Sequence, residues 1–123
     1  MTRRITISER RIGDVTVLDL HGRLVLDDGD TSCVEHIDLL VRQGRIRIIL
    51  NLQDVSYIDS AGVGALVAKY VSLRKRGGDL KLLRLSERVR RVITIAHLLA
   101  VFETFESEEL AVRSFASVHH TAK

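Results

Sequence analysis

The run Arg45-Ile46-Arg47-Ile48-Ile49-Leu50-Asn51-Leu52 constrains this chain more than any other segment. Ile46, Ile48, Ile49, Leu50 and Leu52 leave almost no alternation between apolar and polar positions. A strand of that composition belongs at the centre of a sheet with both faces covered. The chain around it must therefore supply neighbouring strands and the elements that cover them.

It does so in alternation. Ile5 and Ile7 open a loosely alternating outer strand that reaches Arg11, Gly13-Asp14 is a turn, and Val15 to Leu20 resumes as a second strand, so the pair reads as a hairpin. A connector from His21 to Asp30 ends in turn and cap residues. Ser32 with Glu35 resembles a capping box for a first helix, whose Val34, Ile37 and Val41 recur on one face, and Gly44 is its stop. A second helix follows Ser60 through Val63, Leu66, Val67 and Tyr70 to Gly77-Gly78. Leu80, Leu82, Leu83 and Leu85 form another buried strand, and Ser86 caps a third helix carrying Val89, Val92, Ile93 and Ala96. Val101 to Phe105 reads as a short edge segment, and Ser107-Glu108-Glu109 opens a last helix with acids in its first turn.

Two strand–helix–strand units require right-handed parallel crossovers, while the hairpin adds an antiparallel edge. The expected fold is a single α/β domain. It has a mixed, mostly parallel sheet of four to five strands covered by about four helices. The domain is expected over residues 1–117, with 118–123 as a flexible tail.

Composition narrows the setting. At 123 residues the chain can bury a core without metals or disulfides. Cys33 is the only cysteine and falls on the apolar face of the first helix, which predicts a core residue in a reducing compartment. No stretch approaches the roughly 20 apolar residues of a membrane span, and the N-terminus lacks a signal peptide's apolar run. A soluble cytoplasmic protein is expected. Lys and Arg number 19 against 16 Asp and Glu, a small excess for a nucleic-acid binder. The basic groups Arg74-Lys75-Arg76 and Arg84, Arg88, Arg90 and Arg91 read as solvated faces. With two Tyr, three Phe and no Trp, no base-stacking platform is expected and no direct nucleic-acid contact is predicted.

The segment Val55-Ser56-Tyr57-Ile58-Asp59-Ser60-Ala61-Gly62-Val63-Gly64 places a hydroxyl where a buried strand gives way to a helix. Helix starts expose unpaired N–H groups and the positive end of the helix dipole. Ser60 fits three roles there: a helix cap, an anion site, or a phosphoserine switch. Gly62 and Gly64 leave a sterically bare first turn that another protein's active site can approach. Each costs helix stability, up to about 1 kcal/mol relative to alanine. Asp59 is placed to orient the hydroxyl or repel a competing anion.

Asp59-Ser60-Ala61-Gly62-Val63-Gly64, preceded by Asn51-Leu52 and Val55-Ser56-Tyr57-Ile58, resembles the signature of bacterial anti-sigma factor antagonists, which are small STAS domains. The similarity in element order extends from about Ile5 to Phe115 and includes Gly22-Arg23-Leu24 and Gly77-Gly78. The resemblance implies that Ser60 is phosphorylated by a partner anti-sigma factor that is itself a serine kinase. It also implies that the unphosphorylated chain binds that partner, and that a PP2C-type phosphatase resets the switch. The implied partner-binding residues are Asp59, Ser60, Ala61, Gly62, Val63 and Gly64, with Asp27 and Asp28 in the loop after Gly22-Arg23-Leu24. Many relatives carry serine at the position of Ala61, so phosphorylation within this motif is confined to Ser60. The loop Val25-Leu26-Asp27-Asp28-Gly29-Asp30 also departs from the family, which commonly goes directly to one acid and a helix. Turn chemistry and helix-dipole compensation account for its acids better than a metal does.

Other chemistry finds no footing. His21, His36 and His97 are scattered, His119-His120 lies in the expected tail, and no G-x-S-x-G elbow, P-loop or complete G-x-G-x-x-G occurs. No catalytic residue, metal site or cofactor is predicted, and the chain is not expected to be an enzyme. The alternative function is a non-switching scaffold or sensor subunit, of the stressosome or lipid-transporter-associated kind.

Overall fold

The computed structural model describes residues 5–98 and 100–121. The elements are β1 (Thr6–Ile12), β2 (Val15–Leu24), α1 (Ser32–Arg42), β3 (Arg47–Ile58) and α2 (Ser60–Lys75), then β4 (Asp79–Leu83), α3 (Glu87–Ile95), β5 (Thr104–Phe105) and α4 (Glu108–Thr121). One turn of 3-10 helix spans Leu26–Asp28. The strands lie in the order β1-β2-β3-β4-β5, with β1 and β2 antiparallel and every other pair parallel. This is the mixed α/β sheet with an N-terminal hairpin that the sequence predicts.

Each crossover advances one strand in the same direction. Crossovers of a common hand then place their helices on a common face, and the packing agrees. Cys33, Ile37 and Leu40 of α1, Leu66 and Leu73 of α2, and Val89 and Ile93 of α3 share one core with Leu18, Leu50 and Leu82 of the sheet. On the opposite face Val17, Ile49 and Leu83 meet Ala111 and Phe115 of α4. Ile48, Leu50 and Leu52 therefore point one way and Ile49 the other, all fully buried, which is why the β3 run lacks alternation. Cys33 is a core residue as predicted, and burial, assisted by the charge of Asp30, pushes its thiol up to about 12.

Charge completes the α4 face. Lys81 is fully buried, with its Nζ 2.7 Å from Ser114 Oγ, 2.8 Å from Glu103 Oε1 and 4.4 Å from the centre of the Phe115 ring. Arg10 donates to Asp19 at 2.6 Å and to Glu108 at 2.7 Å, and Asn51 donates to Asp19 at 2.8 Å. Hydrogen bonds from Arg10 hold the Asp19 and Glu108 carboxyls below the usual carboxylate range.

Several helix ends match their sequence signals. Ser86 accepts from the Val89 N–H at 3.3 Å, and Ser107 from the Leu110 N–H at 3.3 Å. Gly44, at φ 80°, closes α1: its N–H reaches the Val41 carbonyl at 3.0 Å and the Arg45 N–H the Leu40 carbonyl at 2.8 Å.

Other boundaries differ. The capping box at Ser32 and Glu35 does not form. Thr31 is the N-cap residue, its hydroxyl donating to Glu35 at 2.8 Å, while the Ser32 hydroxyl turns back to Asp30. β2 and β3 run on past Leu20 and Leu52, to Leu24 and Ile58. Their register shifts twice, between Asp19 and His21 and between Gly22 and Arg23. Such irregularities break the period of two, so Gln53, Asp54 and Ser56 interrupt a strand that still buries Val55 and Ile58. Only Thr104–Phe105 of the expected edge segment is strand, because Val101 and Phe102 pack into the three-helix core. α4 extends to Thr121, into the segment read as a tail, and residues 122–123 lie outside the described residues. The side chains of His119 and His120 are likewise outside them.

Candidate functional site

Ser60 is the first residue of α2 and follows directly from the C-terminal end of β3. Open α/β sheets present their ligand and partner loops at this end. The cap, however, is Asp59. Its backbone is extended (φ −93°, ψ 174°), and its Oδ1 accepts from the Gly62 N–H at 2.6 Å. The reading of Ser60 as the helix cap is thereby corrected: aspartate caps as well as serine does, and here it stands one residue earlier. Ser60 is left exposed, and among the described residues its hydroxyl makes no hydrogen bond.

Asp59 also does not orient that hydroxyl. Its Oδ1 accepts a second bond from the Leu26 N–H at 3.3 Å, and Oδ2 accepts from the Asp27 N–H at 2.9 Å. Its own N–H donates to the Leu24 carbonyl at 3.2 Å. Both carboxylate oxygens thus face backbone, and they tie the turn after β2 to the start of α2.

The two glycines have different jobs. Gly62 is buried, and a Cβ there would lie 2.7 Å from the Leu24 carbonyl oxygen and 3.0 Å from Ile58. Its bareness serves packing against β2, which corrects its assignment to an approachable surface. Gly64 is exposed and a Cβ would meet nothing within 4 Å. Standing four residues after Ser60, it lies on the same helix face one turn along. Ala61 and Val63 are half-buried.

Two different surfaces flank Ser60. On one side an open groove is lined by Ser60, Val63, Val92, Ile95 and Ala96, and Ile95 is 71% exposed. Val92 is half-buried, packing against the three-helix core as its helical spacing predicts while also lining the groove, whereas Ala96, just past α3, is exposed and serves the groove alone. On the other side Asp59 holds the Leu26–Asp28 turn, in which Asp27 is exposed. Asp30 takes no part in that surface. It is buried, accepting from the Ile5 N–H at 3.0 Å and the Ser32 N–H at 3.2 Å, so it fastens β1 and α1. Further along the sheet end, Arg23 stacks over Tyr57 at 5.2 Å.

With the geometry in place, comparison with known proteins identifies the family. The STAS domain profile matches residues 6–111. The chain belongs to the STAS domain family.

An anti-sigma-B factor antagonist of Bacillus subtilis is 40% identical over 62 residues, covering 50% of this chain and 57% of that protein. The chain thus matches little more than half the length of that relative. Among solved structures, an anti-sigma factor antagonist from Mycobacterium paratuberculosis superposes with a TM-score of 0.75 at 22% identity, covering 89% of this chain and 92% of that one. The anti-sigma factor antagonist SpoIIAA in its unphosphorylated form gives 0.69 at 25% identity, covering 91% and 97%. SpoIIAA in the phosphorylated form gives 0.69 at 24%, covering 89% and 99%. This STAS domain therefore fits both forms of SpoIIAA equally well. No described helix is long and apolar enough to cross a membrane.

Two features of the STAS site escape sequence reasoning. The bonds from Leu26 and Asp27 to Asp59 join backbone groups to a side chain more than 30 residues away, and N–H groups carry no residue signal. The groove did leave one: Ile95 is a large apolar residue off the α3 stripe of Val89, Val92 and Ile93.

Proposed function

We propose that this STAS domain is an anti-sigma factor antagonist that works by partner switching, with Ser60 as the phosphoacceptor. The observation that carries the reading is the exposed, uncommitted Ser60 hydroxyl on the first turn of α2, with the capping duty taken by Asp59. A hydroxyl in that position is a substrate for another protein's chemistry. The relatives named as anti-sigma factor antagonists support the reading.

In the unphosphorylated state the chain binds an anti-sigma factor with serine kinase activity through Asp59, Ser60, Ala61, Gly62, Val63 and Gly64, with the turn at Asp27 and Asp28 alongside. Exposed Ser60, Gly64 and Asp27 supply the contact, while Asp59 and Gly62 act from beneath it. Transfer of the ATP γ-phosphoryl group to Ser60 Oγ adds about −1.5 to −2 charge at pH 7 beside Asp59 and the apolar groove. Burying that charge against a packed partner is costly, so the complex separates. A PP2C-type phosphatase returns Ser60 to the hydroxyl form. The working compartment is the cytoplasm, where sigma factors and ATP are found.

Incubation with the cognate anti-sigma kinase and ATP, followed by mass-spectrometric mapping, is expected to place one phosphate on Ser60. Phosphate on another residue, or none with a verified partner, overturns the proposal. In calorimetry Ser60→Asp is expected to weaken binding by roughly 2 kcal/mol or more while Ser60→Ala preserves it, and equal affinities for the two variants contradict the mechanism.

A further inference from the structure

Asp59 makes more bonds than a helix cap needs. A cap requires one acceptor for an N–H of the first turn, and Oδ1 meets that need at the Gly62 N–H, 2.6 Å away. The remaining bonds leave the helix altogether. Oδ1 also receives the Leu26 N–H at 3.3 Å and Oδ2 the Asp27 N–H at 2.9 Å, from positions 33 and 32 residues upstream. Both donors belong to the short 3-10 turn over Leu26–Asp28, which is otherwise closed by its own Gly29 N–H to Leu26 carbonyl bond at 2.9 Å.

The backbone beneath is equally close. The Asp59 N–H meets the Leu24 carbonyl at 3.2 Å, and that same oxygen would lie 2.7 Å from a Cβ on Gly62. No side chain separates the first turn of α2 from the end of β2. Hence the exposed Ser60 and the exposed Asp27 are held in one fixed relation by the single carboxylate between them.

We infer that Asp59 is a positioning residue for phosphorylation of Ser60: its carboxylate fixes the Leu26–Asp28 turn beside the serine, so that the kinase docks on both segments as one surface. This rests on the reading of Ser60 as phosphoacceptor. The three bonds that the Asp59 oxygens accept all come from backbone N–H groups, two of them in the turn. Asp59 acts through the turn.

Graded substitution separates this role from capping and from charge. Asp59→Ser retains an oxygen for the Gly62 N–H but is too short to reach the turn, so it removes both distal bonds. Asp59→Asn is equally neutral and keeps an acceptor for Gly62 and Leu26, but its Nδ2 takes the place of Oδ2 and turns a donor toward the Asp27 N–H. Amide hydrogen exchange and steady-state phosphorylation by the cognate anti-sigma kinase with ATP are measured on the full chain.

In Asp59→Ser, exchange at Leu26 and Asp27 is expected to quicken about tenfold while the Gly62 amide stays protected. The KM for this chain as substrate is expected to rise about tenfold (~1.4 kcal/mol) with little change in kcat. Asp59→Asn is expected to fall between Asp59→Ser and wild type in both measurements. An equal rise of KM in Asn and Ser, with the Leu26 amide still protected in Asn, overturns the inference in favour of a direct charge contact. A Ser variant with a loosened turn but wild-type KM reduces the bonds to a structural tether, and a Ser variant with a protected turn removes the tether itself. If the wild-type chain takes no phosphate on Ser60, the switch reading fails, and this inference falls with it. Phosphorylated wild type with any of the other adverse results sinks only the inference.

Discussion

The sheet face under α1, α2 and α3 is packed mainly by aliphatic side chains, whereas the face under α4 combines a few apolar residues with ionised ones. On the first, Leu18, Leu50 and Leu82 meet three helices. On the second, Ile49, Ala111 and Phe115 share their neighbourhood with buried Lys81 and with Arg10 bridging Asp19 and Glu108. Ser60 stands on a helix of the aliphatic face. The hydrophobic packing under it responds little to pH and salt, and the Asp59 carboxylate is the charged link that ties it to the turn after β2. The opposite face is built around several ionised groups.

The adjacent pair Leu50 and Ile49 gives the most forceful test, because one strand presents one residue to each face. Leu50→Ala is expected to cost about 3–5 kcal/mol in chemical denaturation. Ile49→Ala is expected to cost less, about 2–3 kcal/mol, since a single helix can settle into the void more easily than three. Equal costs would erase the distinction. Within the aliphatic face, the two glycines of α2 make a finer cut. Gly62→Ala is expected to destabilise by roughly 1–3 kcal/mol, because the new Cβ meets the Leu24 carbonyl. Gly64→Ala, with open space around it, is expected to raise stability by up to ~1 kcal/mol.

Acid gives the smallest effect. Arg10 holds the Asp19 and Glu108 carboxyls below their ordinary values. Their contribution is complete above the unfolded carboxylate range near pH 4 and is lost as pH falls through the lower folded values. Arg10 is partly exposed, so solvent screening keeps the loss to about 1 kcal/mol or less. Amides of Ala111 and Phe115 are expected to exchange sooner than that of Leu50 when the pH is lowered from 7 to 3. Release of both faces together contradicts the division.

The fold was legible because its signals are local. The unbroken apolar run of β3, the glycine stop at Gly44 and the Ser86 cap each lie within a few residues of what they determine. The extension of β3 to Ile58 was hidden by Gln53, Asp54 and Ser56, whose polarity belongs to register shifts against β2. At the site, the exposed serine at the strand-to-helix junction was readable, but its neighbour's role was not. Asp59 and Ser60 are both competent caps, and only three-dimensional structure shows the aspartate taking that role together with a turn far upstream. Gly62 and Gly64 look alike in sequence and differ by what lies opposite them.

Cys33 carries a practical consequence. A thiol that burial pushes up to about 12 holds almost no thiolate near neutral pH, and the fold screens it from reagents. The native chain is accordingly expected to resist maleimide labelling. A Gly64→Cys variant, one turn from Ser60, is expected to take up the reagent at that position alone, and a bulky adduct on so bare a turn is expected to shut another protein out of it.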